Sequence, residues 1–290
     1  MADLSLVLGQ ETSIRAKINC IYFDYGKMVA QFSEPIFLNA SIVILVLSGT
    51  GTLCVNYKSH EVTTGTLILL SVSHLFNFSR CSNDFQCLCL FVSKEFMEEM
   101  DSTDMIYKRI KYGVKLFNTP TVSLTFAETG LLHERILAVD CAIEHTDHLY
   151  YKEVILNSLF AFYLDLSNII DCQADFHSDS QLTRYESMIQ SFIELLINYY
   201  RQEHRVDFYA SELNISTHYL TLIVKRITGQ SVSDFIFEML HSEARTLLTH
   251  SKLSIQEIAI LLNFSDQSSF GKFFKRKAGI SPADYRKKRI

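Results

Sequence analysis

The sequence lacks a long uninterrupted apolar run of the kind that is typical of a membrane helix. Its most apolar stretch, residues 42–47, is far shorter than the roughly 20 residues that span a bilayer. Residues 1–10 carry no positive charge followed by a long apolar segment, so they do not resemble a secretory signal. We therefore expect a cytoplasmic protein with no membrane partner.

Paired cysteine motifs are also missing. The seven cysteines are odd in number and irregularly spaced, and no C-x-x-C pair occurs. In a chain of 290 residues this pattern indicates reduced thiols rather than a disulfide framework. Cys87 and Cys89 alternate within an apolar run, so we expect both to pack on one side of a strand rather than to bind metal or act as a redox pair.

The sequence contains none of the glycine-rich or nucleophile motifs that mark common enzymes. Gly49 and Gly51 lack a third glycine and a following helix, which favours a turn over a nucleotide-binding loop. No Gly-x-Ser-x-Gly elbow occurs. His145 and His148 flank Asp147 and could hold a metal, but a surface coincidence is the favoured interpretation. We expect a protein that is not an enzyme and needs no cofactor.

What the sequence does contain is an asymmetry of charge. Residues 1–183 hold 12 basic and 21 acidic side chains, whereas residues 184–290 hold 15 basic and 11 acidic ones. A basic half joined to an acidic half suggests that the basic half meets a polyanion. The polar, aperiodic segment at residues 171–183 lies between them and predicts a linker between two domains.

Residues 1–170 predict a β-rich domain with flanking helices. Short apolar, β-branched runs occur at residues 42–47, 52–57, 65–72 and 85–92. Turn formers separate them, at residues 48–51, 58–60 and 79–84. Strands at this spacing are typical of a small barrel or sandwich. Helical periodicity is found at residues 94–111, 128–142 and 150–170.

The C-terminal third contains a degenerate internal repeat. Residues 210–216 recur 49 positions later, with the same Ala, Leu, Asn and Ser in both copies. One residue is then inserted, and residues 220–231 recur 50 positions later with the same Lys-Arg pair and Gly-x-Ser. Two matched copies are hard to produce by chance in an ordinary helical domain, so the repeat indicates a duplicated structural unit.

Each copy predicts a helix, a short turn and a second helix. The alanine lets the two helices approach closely, while Asn and Ser favour the turn and the start of the next helix. Gly229 and Gly279 stand where the second helix would end. This is the layout of a helix-turn-helix, whose second helix enters the DNA major groove. We place the units at residues 206–229 and 255–279, joined by a helix at Val232–His250, in a domain at residues 184–290.

The second helix of each unit is polar on one side. Polar side chains of this kind read base edges, and lysine and arginine neutralise phosphates. A helical bundle with solvated charges is the alternative, but the matched Lys-Arg and Gly-x-Ser positions favour binding to double-stranded DNA. The predicted DNA-contacting residues are Thr217, His218, Thr221, Lys225, Arg226, Gln267, Ser268, Ser269, Lys272, Lys275 and Arg276.

The second unit resembles the AraC/XylS family of bacterial transcription regulators almost position by position. The matching residues are Ile258-Ala259, Leu262-Asn263-Phe264, Asp266-Gln267-Ser268, Phe270, Phe273-Phe274-Lys275-Arg276, Gly279-Ile280-Ser281-Pro282 and Tyr285-Arg286. The resemblance covers residues 185–290. It implies a seven-helix domain that reads two successive major-groove segments, in a regulator of the activator type with RNA polymerase as a possible partner.

Three positions depart from the family pattern. Asn263 stands where the family usually has glycine. Leu240-His241 precedes Ala244, where an Arg-Leu pair is usual. Leu222 replaces an arginine that often contacts bases, so His218 and Thr221 are the remaining candidates for base contact in the first helix-turn-helix.

The N-terminal domain resembles the cupin-like sensor and dimerisation half of many family members, through residues 47–52 and 65–74. The resemblance implies an α+β, multidomain protein, in which a cupin-like β-barrel with flanking helices precedes an all-α domain with two helix-turn-helix motifs. It also implies a homodimer and a possible small-molecule effector.

Individual residues of this domain suggest an effector pocket, and they also bear on an alternative function and on the role of its last helix. Tyr57 and His74 are the candidate pocket residues, although a structural role is favoured for His74. A cupin-type enzyme is the alternative function, but the His-x-His metal motif is missing. The helix at residues 150–170 would either mediate dimerisation or pack on its own barrel, and its apolar stripe fits both equally well.

Overall fold

The computed structural model describes residues 14–37, 40–71, 74–93, 96–97, 116, 119–176, 184–228 and 230–287. Contacts divide the described residues into two compact units, residues 14–176 and residues 184–287. Most of the helix predicted at residues 94–111 lies outside the described residues.

The first unit is built on two antiparallel sheets. Its strands are β1 (Ile18–Asp24), β2 (Ala40–Ser48), β3 (Thr50–Val55), β4 (Lys58–Thr63), β5 (Thr66–Leu70), β6 (Phe76–Cys81), β7 (Gln86–Ser93) and β8 (Thr121–Ser123). The larger sheet has the strand order β1-β7-β2-β5-β8, and the smaller one has the order β4-β3-β6. Every neighbouring pair is antiparallel.

The two sheets share one apolar core. Because side chains alternate along a strand, every second residue of β2 and β7 points into it. Cys87 and Cys89 are both fully buried there, with their sulfurs 3.9 Å apart. Burial raises the pKa of the Cys89 thiol well above its usual value, which keeps the thiol protonated and unreactive. The described strands form two separate sheets around this core, which fits the sandwich interpretation.

One hairpin turns two residues earlier than the sequence predicts. The turn expected at residues 58–60 lies at Asn56 and Tyr57, which have φ values of 48° and 66°, and Lys58 already begins β4. Two successive positive φ values are typical of a type I′ turn, which matches the twist of the strands that it joins.

Over the described residues of the first unit, three α-helices flank the sheets: α1 (Tyr25–Phe32), α2 (Phe126–Glu144) and α3 (Tyr151–Phe176). α2 begins with a capping box, in which Thr125 and Glu128 each accept a hydrogen bond from the other's backbone N–H. α3 packs against α2 and continues six residues past the end predicted for it at residue 170, into the segment expected to be a linker.

α3 is also the one described helix that could cross a bilayer by length and composition, with a mean hydropathy of 1.3 over Tyr151–Gln173. A helix in a protein core passes the same test. Here one face of α3 is buried, through Ile155, Leu159, Phe162 and Leu166. Its Asp165 accepts a 2.6 Å bond from the guanidinium of Arg135 on α2. These contacts are those of a helix that packs on a neighbouring helix of its own unit.

The second unit consists of seven helices over the residues that the structure describes. They are α4 (Arg184–Tyr199), α5 (Val206–Glu212), α6 (Thr217–Thr228), α7 (Val232–His250), α8 (Ile255–Leu261), α9 (Gln267–Ala278) and α10 (Pro282–Lys287). α7 is central and contacts α6, α8, α9 and α10. Its start is set by a capping box between Ser231 and Asp234, and its buried side chains include Phe235, Met239 and Leu240.

Candidate nucleic-acid interface

The α5–α6 and α8–α9 pairs have the same turn. Asn214 and Asn263 adopt left-handed backbone conformations, with φ values of 54° and 55°. The next residue in each turn donates its N–H to the alanine of the first helix: Ile215 to Ala210 over 3.0 Å, and Phe264 to Ala259 over 2.9 Å. Asparagine tolerates this conformation better than most residues with a side chain. The repeat in the sequence therefore corresponds to a repeat in backbone geometry.

The N-terminal caps of the second helices show which residue of the second copy is the insertion in the repeat. α6 begins after Ser216, whose hydroxyl accepts the N–H of Tyr219 over 3.2 Å. α9 begins after Asp266, whose carboxylate accepts the N–H of Ser269 over 2.7 Å. Ser216 is therefore equivalent to Asp266, and the extra residue of the second unit is Ser265, one position earlier than the sequence comparison suggests. From the cap onward, the two second helices align at an offset of 50.

Each second helix has a buried apolar face and an exposed polar face. The buried residues are Leu220, Ile223 and Val224 in α6, and Phe270, Phe273 and Phe274 in α9. Five positions on the opposite face fall within an arc of about 140°, at about 100° per residue. All are exposed or partly exposed: Thr217, His218, Thr221, Leu222 and Lys225 in α6, and Gln267, Ser268, Gly271, Lys272 and Lys275 in α9.

Two of the predicted DNA-contacting residues form hydrogen bonds that stabilise the N-terminal ends of their own helices. Thr217 donates its hydroxyl to Asp207 of α5 over 3.2 Å. Hydrogen bonds from Arg205 and Thr217 lower the pKa of the Asp207 carboxyl, so it stays ionised. Ser269 donates its N–H and its hydroxyl to Asp266, and the N–H bond is the main reason why the pKa of Asp266 is lowered. These side chains hold the helix starts in place.

The basic residues lie toward the C-terminal ends of both helices, where positive charge also complements the helix dipole. Lys225 and Arg226 of α6, like Lys275 of α9, are exposed. The guanidinium of Arg276 lies 5.6 Å from the ring centre of Phe237 on α7. This cation–π contact orients the arginine while leaving it exposed.

An aromatic cluster holds α9 against its neighbours. Phe274 lies 6.0 Å from Phe270, 5.2 Å from Tyr285 of α10 and 5.2 Å from His241 of α7, measured between ring centres. Arg286 of α10 donates from Nε to the carbonyl oxygen of Leu248 over 3.2 Å, near the C-terminal end of α7. The Tyr-Arg pair of the sequence signature therefore serves to dock α10.

His241, one of the departures from the family pattern, is expected to make the second unit sensitive to acid. Its Nε2 is buried and meets no partner among the described residues. Burial, with smaller contributions from Arg245 and Lys277, lowers the pKa of the His241 ring in the folded state from 6.5 to about 4. Between these two pH values, His241 binds more protons in the unfolded chain than in the folded one. The free energy of unfolding is therefore highest above pH 6.5 and falls as the pH drops toward 4.

Hydrogen exchange at a series of pH values, corrected for the intrinsic rates, would measure this slope in peptides from α7 and α9. His241→Leu should flatten it, whereas His250→Leu, a change at an exposed histidine of the same helix, should not. Equal slopes for the wild type and His241→Leu would contradict the assignment.

The structure does not bring the two predicted pocket residues together in an interior site. Tyr57 is 91% exposed at the tip of the β3–β4 hairpin, so its assignment to a pocket is wrong: the tight turn at Asn56 and Tyr57 ends the strand before Tyr57 and leaves its side chain in solvent. His74 is buried, and its Nδ1 accepts the N–H of Ser71 over 2.9 Å, as a structural histidine does.

The histidines weighed as metal ligands also make local hydrogen bonds. His145 Nδ1 lies 2.7 Å from the carbonyl oxygen of Cys141, and His148 Nδ1 accepts the N–H of Tyr150. Within the part of the chain that the structure describes, no three His, Cys, Asp or Glu side chains are grouped so that they could hold a metal ion.

Comparisons with known proteins agree with this geometry. Residues 209–288 match a family described as a helix-turn-helix domain. The Msm operon regulatory protein of Streptococcus mutans is 25% identical over 258 residues, which cover 87% of this chain and 86% of that protein. The transcriptional activator RhaR of Salmonella schwarzengrund is 26% identical over 108 residues, 37% of this chain and 38% of RhaR.

Among solved structures, ToxT from Vibrio cholerae with a bound unsaturated fatty acid is 15% identical. The alignment covers 93% of this chain and 94% of ToxT, with a TM-score of 0.34. The paired helix-turn-helix geometry and the regulators that match it in sequence lead to one conclusion: residues 209–288 form a helix-turn-helix domain, and the chain is similar to AraC-type DNA-binding transcription regulators.

Proposed function

We propose that α6 and α9 read two successive major-groove segments on one face of a duplex. The observation that supports this is the equivalence of the two helices: each leaves the same turn and presents the same five positions on the side opposite its buried face. A helix inserted in the major groove contacts base edges with its N-terminal residues and phosphates with flanking residues.

In α9, Gln267 and Ser268 lie in the first turn and would contact base edges, while Lys272 and Lys275 would contact phosphates. Gly271 lies between them on the same face, and a Cβ at this position would meet nothing within 4 Å. A glycine inside a helix costs about 1 kcal/mol relative to alanine. Its place on this face would let the helix backbone approach the bases closely.

In α6, His218 and Thr221 would contact base edges, and Lys225 and Arg226 would contact phosphates. Leu222 occupies the position of Lys272 and is 50% exposed, although it is a large apolar residue. The apolar group that a major groove offers is the thymine methyl. We therefore infer that Leu222 contacts a thymine. The first helix-turn-helix would then read its segment with fewer hydrogen bonds than the second helix-turn-helix.

The N-terminal unit, residues 14–176, would serve homodimerisation and the binding of a small-molecule effector. The protein would be a cytoplasmic regulator that contacts RNA polymerase at its promoter. The sequence match to the Msm operon regulatory protein spans both units, which supports a shared two-part organisation. Since the relatives are transcription regulators, the cupin-enzyme alternative is disfavoured.

The test is selection of bound duplexes from a random pool with the full chain. We expect a composite site, and we expect Gln267→Ala to relax the base preference at one or two positions of one half-site. The expected loss of discrimination is about 1–3 kcal/mol, the value of one good bidentate contact. Gln256→Ala is the matched control, since it removes the same side chain from an exposed position on α8. Identical selected sites for the wild type and Gln267→Ala would place the reading surface elsewhere.

A further inference from the structure

The loop at residues 200–205, which joins α4 to α5, contacts the turn of the second helix-turn-helix. Asn263 donates from Nδ2 to the carbonyl oxygen of Gln202 over 2.6 Å. The ring of His204 lies 5.0 Å from that of Phe264. Burial lowers the pKa of His204, which keeps the ring neutral against its aromatic neighbour. The loop therefore meets both residues of the Asn-Phe turn.

The same loop is held by the first helix-turn-helix and by α7. Tyr209 of α5 is fully buried and donates its hydroxyl to the carbonyl oxygen of Glu203 over 2.8 Å. On α7, Glu243 accepts a 2.9 Å bond from Arg201 and a 3.3 Å bond from the hydroxyl of Tyr200. The loop thus bridges the first helix-turn-helix, α7 and the second helix-turn-helix.

These contacts continue into both second helices. Phe264 packs on Phe270 and Phe273 of α9, with ring centres 5.4 Å and 5.0 Å apart. On the other side, Asp207 of α5 accepts the hydroxyl of Thr217 in α6. A displacement of the loop would therefore also displace the N-terminal ends of α6 and α9.

The departure of Asn263 from the family's glycine is explained by the same contact. A glycine would adopt the φ of 55° without cost, but it has no amide to donate to Gln202. Asn214, its equivalent in the first turn, has the same backbone conformation, but among the described residues its side chain makes no hydrogen bond to residues 200–205. Of the two equivalent asparagines, Asn263 is thus the one that links its turn to the loop.

We propose that residues 200–205 are a positioning element that sets the separation and the angle between α6 and α9, with Gln202 and His204 contacting Asn263 and Phe264 of the second helix-turn-helix. The proposal rests on the proposed function, in which both helices enter one duplex. α7 joins the two helix-turn-helix units and packs against α6, α8 and α9. The loop adds a second connection between them, which restricts the rotation of one unit relative to the other, so the pair should accept only one spacing of its two DNA segments.

The test measures affinity of the full chain for duplexes in which the two selected half-sites are moved together or apart by one and two base pairs. Each added base pair rotates one segment by roughly 35° relative to the other, because B-DNA has about 10–10.5 base pairs per turn. We expect the wild type to show a sharp optimum. Asn263→Gly should flatten the profile, and should cost about threefold to tenfold at the best spacing, the net value of one hydrogen bond.

Asn214→Gly is the matched control, because it makes the same backbone change at the equivalent turn and should keep the sharp profile. His204→Ala removes the ring contact without altering the turn and should flatten the profile independently. A sharp optimum in both Asn263→Gly and His204→Ala overturns the positioning role and leaves the proposed function intact. A wild type that binds one half-site as tightly as the composite site contradicts the proposed function, and the positioning role with it.

Discussion

Phe274→Ala is expected to destabilise the second helix-turn-helix by about 3–5 kcal/mol, the usual cost of removing a fully buried phenylalanine. Its ring is completely buried and packs on α7, α9 and α10 at once, through His241, Phe270 and Tyr285. The cavity left by alanine would adjoin three helices, and none of them could close it without losing other contacts.

Hydrogen exchange suits this measurement, because the two units need not unfold together and a single melting temperature would mix them. Protection of the amides in α8 to α10 should fall by about two to four orders of magnitude. Ile260→Ala is the control, since Ile260 is 68% exposed on α8 and should change protection little. Unchanged protection in Phe274→Ala would show that the aromatic cluster does not hold α9 in solution.

Charge reversal on α9 is expected to have the largest effect on DNA binding. In Lys272→Glu/Lys275→Glu, two exposed cations that would face phosphates become anions. Affinity should fall at least 100-fold at moderate salt. The slope of log K against log salt should decrease by about 1.8, because each lost phosphate contact accounts for about 0.9.

Lys27→Glu/Lys58→Glu is the matched control, because it changes the net charge equally at two exposed positions of the first unit. It should alter affinity much less and leave the salt slope nearly unchanged. A similar loss in both double variants would mean that net charge, rather than a phosphate contact by α9, governs binding.

The second unit was the more predictable part because its pattern is local. Ala259, Asn263 and Gly279 each act within one turn of their own position, through close packing, a positive φ and a C-cap. The helices consequently begin and end within a residue or two of their expected limits. The one-residue insertion was misplaced because Ser216 matches Ser265 by identity, whereas Asp266 is its equivalent by capping.

The first unit was less predictable because its strands depend on distant partners. Lys58 and His60 look like turn residues, yet they lie in β4 opposite Val55 and Leu53 of β3. Tyr57 fits the end of an apolar run, but the hairpin turn moves it to the surface. α1 was not predicted, although Asp24 accepts the N–H of Lys27 at its start.

By itself the sequence determined the resemblance to AraC-type regulators, the duplicated helix-turn-helix and the polar face of each second helix, because periodicity, caps and turn residues act over a few neighbouring positions. Only the tertiary structure decided which of those side chains project and which hold a helix start, as Thr217 and Ser269 do. It alone also showed that Asn263 reaches back 61 residues to Gln202. Such contacts depend on how the helices pack, and no spacing along the chain encodes them.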